Sequence, residues 1–378
     1  MQPIYLDNAA STRVSDEVLA LMTEVMRTAW GNPSASHPQG AAARGFIDTA
    51  RTRLLAALGD RGIGDLVWTS GCSEANALAV LGAARTHEGS IVISTLEHPA
   101  ITTLADRLEA EGRRVVRVAP GPGGTLDPDE MAAAAKGAGV VAFLGVQNEI
   151  GVVQPVAPIA QAVRAAAPGA HVHLDAAQAL GKIVLDVAQL GVDSIAIAGH
   201  KLHGPKGAGA LWLRSGARIE PLWVGGGQQH GMRGGTQDAP GAAGLGLAAE
   251  RAAQALTTAR ATWLLHAARV TGALEARGIA FRQLVPDHRR APHILALGIA
   301  GVPAGALRNV LASRGVYIST GSACSSEGVK ASPTLAAIGL PEDHGMVRLS
   351  FALDTTADDV TRAATILADV AGELAKKR

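Results

Sequence analysis

The sequence predicts an α/β protein: a mostly parallel sheet covered by helices on both faces, followed by a smaller α+β domain. Short, continuous apolar runs such as 140–146 and 195–198 alternate with helical patterns, as strands buried on both faces require. A chain of 378 residues is too long for one small core, so two domains are expected. Hydrophobic content of 48% with 18% charged residues and 45 glycines suits a well-packed chain with tight strand-to-helix turns, and excludes a disordered protein.

The elements follow in order. Ser15-Asp16-Glu17 supplies an N-cap and an acidic first turn for a helix carrying Val18, Leu21, Met22 and Val25. Phe46, Ile47, Leu54, Leu55 and Leu58 mark a second helix, which ends at Gly59. A strand over 66–70 runs directly into Gly71-Cys72-Ser73-Glu74 and a helix over 75–84. Strands are expected at 90–95 and 115–119, with a helix through Leu104 and Leu108 between them. Asp127-Pro128 then opens a helix through Met131 to Lys136. Strands at 140–146, 172–175, 194–199 and 208–213 complete a large domain placed at 1–255, whose first segment, about 14 residues long, packs with the small domain.

An alanine-rich helical region over 239–277 leads into a small domain at 256–378. There the pattern reads strand 293–299, helix 304–313, strands 316–320 and 347–353, and a last helix from Thr355-Thr356. That helix carries Val360, Leu367, Val370 and Leu374, with Lys376, Lys377 and Arg378 at its negative end.

Net charge of +1 gives no electrostatic case for nucleic acid or an anionic membrane as the partner. Asp7 interrupts the N-terminus before a signal-peptide core develops, and no apolar run approaches the roughly 18 residues of a membrane span. A cytoplasmic protein is expected, with Cys72 and Cys324 as free thiols.

Chemistry concentrates where strands end. The run 195–198 stops at Gly199-His200-Lys201, which delivers a lysine to the rim of the sheet. Gly204-Pro205-Lys206-Gly207 lacks the Gly-Lys-Ser/Thr of a nucleotide-binding loop. Lys201 is either a solvated strand end or a partly desolvated amine able to form a Schiff base. Thr69-Ser70-Gly71-Cys72-Ser73 opens a helix whose free N–H groups suit a phosphate, although ordinary caps use the same residues. His98 and Asn148 follow strands, where such residues usually serve as caps, and could also be site residues, a ring to stack and move protons and a neutral hydrogen-bonding amide. Alternation places His171, His173 and Asp175 on one strand face, which allows a metal site with His200 or His203, as in a metal-dependent hydrolase. An Asp at one strand end and a Lys at the next also suit pyridoxal phosphate, the carboxylate holding the pyridine nitrogen and the lysine forming the imine.

The strings Tyr-Leu-Asp-Asn-Ala-Ala (5–10), Thr-Ser-Gly-x-Ser-Glu (69–74), Glu-His (97–98), Asn-Glu-Ile-Gly-Val-Val-Gln (148–154), Asp-Ala-x-Gln (175–178), Gly-His-Lys-x-x-Gly-Pro-Lys-Gly (199–207), Arg-Gly-Gly-Thr (233–236) and Gly-Ser-Ala-Cys (321–324) resemble the pyridoxal-phosphate-dependent cysteine desulfurases. These belong to the class V aminotransferase group, in the branch that serves iron-sulfur cluster assembly, and the resemblance runs through nearly the whole chain. It implies a fold type I transferase in which Lys201 binds the cofactor covalently and Asp175 pairs with its ring nitrogen. His98 would stack on the ring and move protons, while Gln178 and Asn148 would bond the phenolic oxygen or the substrate. Ser73 and His200 would hold the phosphate, joined by Thr236 across a homodimer.

The resemblance further implies that Arg348 grips the carboxylate of L-cysteine, a bidentate task suited to guanidinium. Cys324, in a small, polar loop, would take the sulfur as a persulfide, release alanine and pass the sulfur to an acceptor protein, a cluster scaffold or a thiolation enzyme. Selenocysteine lyases and other class V enzymes share the framework. Four departures stand out: Ala198 for a common Ser or Thr at the phosphate, Cys72 for a small alanine, Gly234 for a serine, and Ala352-Leu353-Asp354 without the usual Gly-Arg. Cys72 reads as a packing substitution.

Overall fold

The structure, a computed structural model, describes residues 3–320, 333–341 and 343–375. The chain begins with β1 (Ile4–Tyr5), α1 (Asp16–Thr28), α2 (Pro38–Ala57), β2 (Gly64–Thr69) and α3 (Cys72–Thr86). It continues through β3 (Ser90–Ser94), α4 (Pro99–Ala110), β4 (Val115–Val118), α5 (Pro128–Ala135), β5 (Ala138–Leu144), α6 (Val156–Ala166) and β6 (His171–Asp175). Next come α7 (Val187–Leu190), β7 (Ser194–Ala198), β8 (Gly209–Arg214) and α8 (Ala239–Ala276). The remainder is β9 (Phe281–Gln283), β10 (Ile294–Ala300), α9 (Ala304–Ser313), β11 (Val316–Tyr317), α10 (Pro333–Ala337), β12 (His344–Ser350) and α11 (Ala357–Ala375).

A seven-stranded sheet in the order β2-β8-β7-β6-β5-β3-β4 forms the centre. Only β8 runs against its neighbours, so β2, β3, β5, β6 and β7 end at one edge. Every residue of β3, β5, β6 and β7 is buried, which is why β5 and β7 read as continuous apolar runs, while β6 buries His171, His173 and Asp175 as well. Helices α2 and α8 pack closely. A Cβ on Gly246 would sit 2.6 Å from the Ala50 backbone, so glycine sets the depth of that crossing.

Helix α8 traverses two cores. Its first half, with Ala242, Leu245 and Ala249, belongs to the main cluster, and Trp263, Val270 and Leu274 of its second half pack with α9, β10, β12 and α11. The N-terminal strand joins this second group: β1 pairs in parallel with β11, and Ser350 N donates to Leu6 O at 2.8 Å. A small sheet, β12-β10-β9, completes it. No helix among the described residues is long and apolar enough to cross a membrane.

Several expectations shift at their boundaries. The strand expected over 316–320 ends at Tyr317, and Ser319 instead makes an isolated bridge to Arg348. The strand expected over 347–353 runs from His344 to Ser350, because Ala352 N turns to the Thr355 hydroxyl and leaves the ladder. Helix α6 and the edge strand β9 went unread. Helix α6 follows Pro155, which gives it no side-chain cap, and β9 is three residues long.

Candidate functional site

The carboxyl ends of β2, β3, β5, β6 and β7 and the segments that follow them carry Ser73, His98, Asn148, Asp175 and Lys201, so one edge of the sheet gathers residues far apart in sequence. β7 ends in a single tight turn over Gly199–Lys201. A Cβ at Gly199 would lie 2.8 Å from Ala208 O and 2.9 Å from Pro205 O, so the returning chain fixes glycine there. His203 holds a left-handed φ of 61°, a conformation that costs a non-glycine residue energy. The N-terminal segment supports it: His203 N donates to Thr12 Oγ1 at 2.8 Å, and its Nδ1 contacts Arg13 O at 2.9 Å.

The same segment receives the lysine. Lys201 Nζ donates to Ala9 O and Ala10 O, both at 2.7 Å. Burial, with the Arg348 charge behind it, pushes Lys201 down to about 8. The alternative of a solvated strand end is thereby removed. His200 beside it contacts Ser11 Oγ at 3.2 Å and is held at about 4 by burial and by the charges of Lys201 and Lys206.

Asp175 is buried and surrounded by donors. Its Oδ2 accepts from Asn76 Nδ2 at 2.7 Å, and its Oδ1 accepts from Ala177 N at 2.9 Å with the Cys72 thiol at 3.6 Å. Desolvation, with Asp175 adjacent, raises the Cys72 thiol well above its usual range, so this sulfur is a poor nucleophile and a weak donor to the carboxylate. The face of His171, His173 and Asp175 is not a metal-ligand set. His171 Nε2 and His173 Nδ1 both meet Ser194 Oγ, at 2.7 and 2.8 Å, and His173 Nε2 meets Asn76 Oδ1 at 2.9 Å. Burial depresses these rings to about 4 and about 3, and no group of three or more ligand residues among those described is arranged to hold a metal.

His98 caps α4, its Nδ1 accepting from Ala100 N at 3.1 Å, so the neutral ring carries its proton on Nε2. Burial lowers its pKa. Glu97 anchors this turn: its Oε1 accepts from the Ser94 hydroxyl and, at 3.1 Å, from Leu144 N, while burial raises its carboxyl to about 8. Gln178 is buried with Nε2 donating to Ala9 O at 2.7 Å and Oε1 meeting His293 Nε2 at 3.2 Å.

Arg348 Nη1 donates to Asn148 O at 2.7 Å and Nη2 to Asp7 Oδ1 at 2.6 Å, leaving a buried Nε with no hydrogen-bond partner.

Ser73 lies exposed in the first turn of α3, whose N-cap Gly71 makes no side-chain hydrogen bond. A Cβ on Gly209 would come within 2.6 Å of Gly71, so β8 and this turn form a close backbone cradle. Ala198 ends β7 beside Gly209 and is 2% exposed, too enclosed to bring a side chain to the rim. Gly234 fits because a Cβ there would meet Gly225 Cα at 2.9 Å. Leu353 N reaches His203 Nε2 at 3.3 Å, so the departing segment 352–354 buttresses the lysine turn. Thr236 is exposed on the loop before α8. Cys324 lies outside the described residues.

Sequence reasoning missed Asn76 and Asp7. Asn76 lies inside α3 with no signal beyond its polarity among apolar neighbours, and Asp7 showed as an interruption of the N-terminus and as part of the 5–10 string, with no role of its own.

The chain matches the family model of aminotransferase class-V over residues 4–363. It is 37% identical to a cysteine desulfurase of Rhodobacter capsulatus, over 98% of this chain and 97% of that protein. Among solved structures it is similar to a NifS-like protein, with a TM-score of 0.90, 28% identity and coverage of 99% and 100% of the two chains. It is also similar to SspA in complex with cysteine, with a TM-score of 0.80, 29% identity and coverage of 92% and 98%.

Proposed function

The chain belongs to the class V aminotransferases and, within them, to the cysteine desulfurases, and from that premise we propose that it binds pyridoxal phosphate at Lys201 and removes sulfur from L-cysteine, giving L-alanine. The observation that carries this reading is a half-buried lysine, lowered to about 8, in the turn after β7 beside a buried, donor-ringed carboxylate at the end of β6.

The residues fit the cofactor. The first turn of α3, with Ser73 and a cap that spends no side chain on its N–H groups, suits a phosphate, with His200 alongside. The Gly209–Gly71 contact leaves no room for side chains in that cradle. Asp175 would hold the ring nitrogen, Gln178 and Asn148 the phenolic oxygen or the substrate, and His98 the ring face. Thr236 would complete the phosphate site from a second copy in a homodimer, and exposed Trp30, Trp223 and Val224 support such an association.

Pyridoxal phosphate supplies an electron sink that eases bond breaking at the substrate α-carbon. The rest falls to the chain. Lys201, near neutrality as amine and ammonium both, accepts and returns a proton at Nζ. His98, with Nδ1 committed to Ala100 N, exchanges its proton through Nε2. Arg348 offers its unpartnered Nε and a redirected Nη to the substrate carboxylate. Cys324 attacks the substrate sulfur as a thiolate. The carbon–sulfur bond breaks, a sulfur–sulfur bond forms on the enzyme, and the β-carbon gains a proton to give alanine. The persulfide then passes to an acceptor protein for iron-sulfur cluster assembly or thiolation.

Parallel kcat/KM measurements on L-cysteine and L-selenocysteine test the reading. Alanine from cysteine at a substantial rate is expected; activity confined to selenocysteine would make the protein a selenocysteine lyase instead.

A further inference from the structure

We propose that Asn76, His173, Ser194 and His171 form a one-way hydrogen-bond relay that fixes the orientation of Asp175 toward the cofactor's ring nitrogen. These are positioning residues, and the assignment rests on the pyridoxal phosphate reading above. A carboxylate only accepts, so the Asn76 amide must turn its Nδ2 to Asp175 Oδ2, at 2.7 Å. Its Oδ1 then faces His173 Nε2 at 2.9 Å and can only accept, which puts the imidazole proton on Nε2. Buried and neutral, His173 has a bare Nδ1, so the Ser194 hydroxyl must donate to it at 2.8 Å. With its one proton spent, Ser194 Oγ accepts from His171 Nε2 at 2.7 Å.

Every link therefore points its donor at Asp175. Chained donors of one sense polarise one another, so the last bond to the carboxylate is stronger and better directed than an isolated amide contact. His173 and Ser194 are wholly buried and Asn76 is 1% exposed, so water does not compete along the chain. His171 ends it at a polar recess lined by His87, Arg164, Asp193 and Arg214. Asn76 holds Oδ2 and Ala177 N holds Oδ1, with the Cys72 thiol 3.6 Å from Oδ1, so both oxygens of the carboxylate are fixed by donors of the protein.

The first measurement uses the apoprotein, without cofactor. Long-range proton–nitrogen correlations of ring-labelled histidines should show His171 and His173 both protonated at Nε2 and bare at Nδ1. A proton on Nδ1 of either ring would overturn the relay whatever the protein catalyses. The second uses pyridoxal phosphate labelled with 15N in its ring. Ser194→Ala, remote from the cofactor, should move the ring-nitrogen resonance toward its unprotonated position and weaken cofactor binding roughly two- to tenfold, the scale of one neutral hydrogen bond. Ser194→Thr, which keeps the hydroxyl, should restore both. A lower melting temperature for Ser194→Ala with resonance and affinity unchanged would reduce the network to a stability role and refute the proposal. Failure of the wild-type chain to bind pyridoxal phosphate would refute the function above and leave the tautomer test standing.

Discussion

Asp7 Oδ1 and Arg348 Nη2 meet at 2.6 Å, with the arginine side chain 5% exposed, so one ion pair fastens the N-terminal segment to β12 at the rim of the lysine site. The same segment supplies the Ala9 and Ala10 carbonyls that receive Lys201. The arginine proposed to grip the substrate and the lysine are thus both held by one stretch of chain. Arg348→Ala should raise KM for L-cysteine roughly 10- to 100-fold, as loss of a charge-assisted contact does, with the cofactor spectrum unchanged. Asp7→Asn should raise it less, because the guanidinium survives but loses its aim. A KM unaltered by Arg348→Ala would mean the carboxylate is held elsewhere.

Lys201 reacts with an aldehyde only as the neutral amine, and its lowered pKa sets when that form predominates. Borohydride-trapped cofactor capture by the apoprotein should therefore rise with pH and level off above about 8. A rise that continues to about 10.5, the unperturbed lysine value, would show that Lys201 is not desolvated as the structure has it. Lys201→Ala should give a protein without visible absorbance.

Glu97 provides a stability test. Its folded pKa, about 8, lies above the ordinary 4.5, so between those values the folded chain binds more protons than the unfolded one. The contribution of Glu97 is fully present below pH 4.5 and is lost as pH rises through about 8. Glu97→Gln, which cannot ionise, removes that dependence. The stability of the wild type relative to Glu97→Gln should decline across this window in chemical denaturation of the apoprotein, and parallel curves would contradict a buried neutral acid.

Gly209→Ala probes the proposed phosphate cradle. The added Cβ would meet Gly71 at 2.6 Å and must displace the first turn of α3. Such overpacking costs on the order of 1–3 kcal/mol. Cofactor affinity should fall more than apoprotein melting temperature, and an unaffected dissociation constant would place the phosphate elsewhere.

Much of this site could be read before folding because its residues follow buried strands. The run before Lys201 is almost wholly apolar, the one ending at Asp175 alternates histidines with Val172 and Leu174, and the parallel order of β6 and β7 makes their ends neighbours. His171 and His173 misled in one respect: alternation correctly put them on one face with Asp175, but it could not show that Ser194 and Asn76 already occupy their nitrogens. Asp7 escaped notice because its partner lies 341 positions away, and pairings of that range leave no local pattern. The departures at Ala198 and Gly234 gained physical reasons only from the backbones packed against them.

The most direct test of the central claim is the yield of alanine and sulfide from L-cysteine by Cys324→Ala beside the wild type, both loaded with cofactor and supplied with a reductant. The wild type should form alanine and sulfide in equal amounts, while Cys324→Ala keeps its cofactor spectrum and releases neither. Sulfide from Cys324→Ala at the wild-type rate, or no alanine from the loaded wild type, would contradict the account.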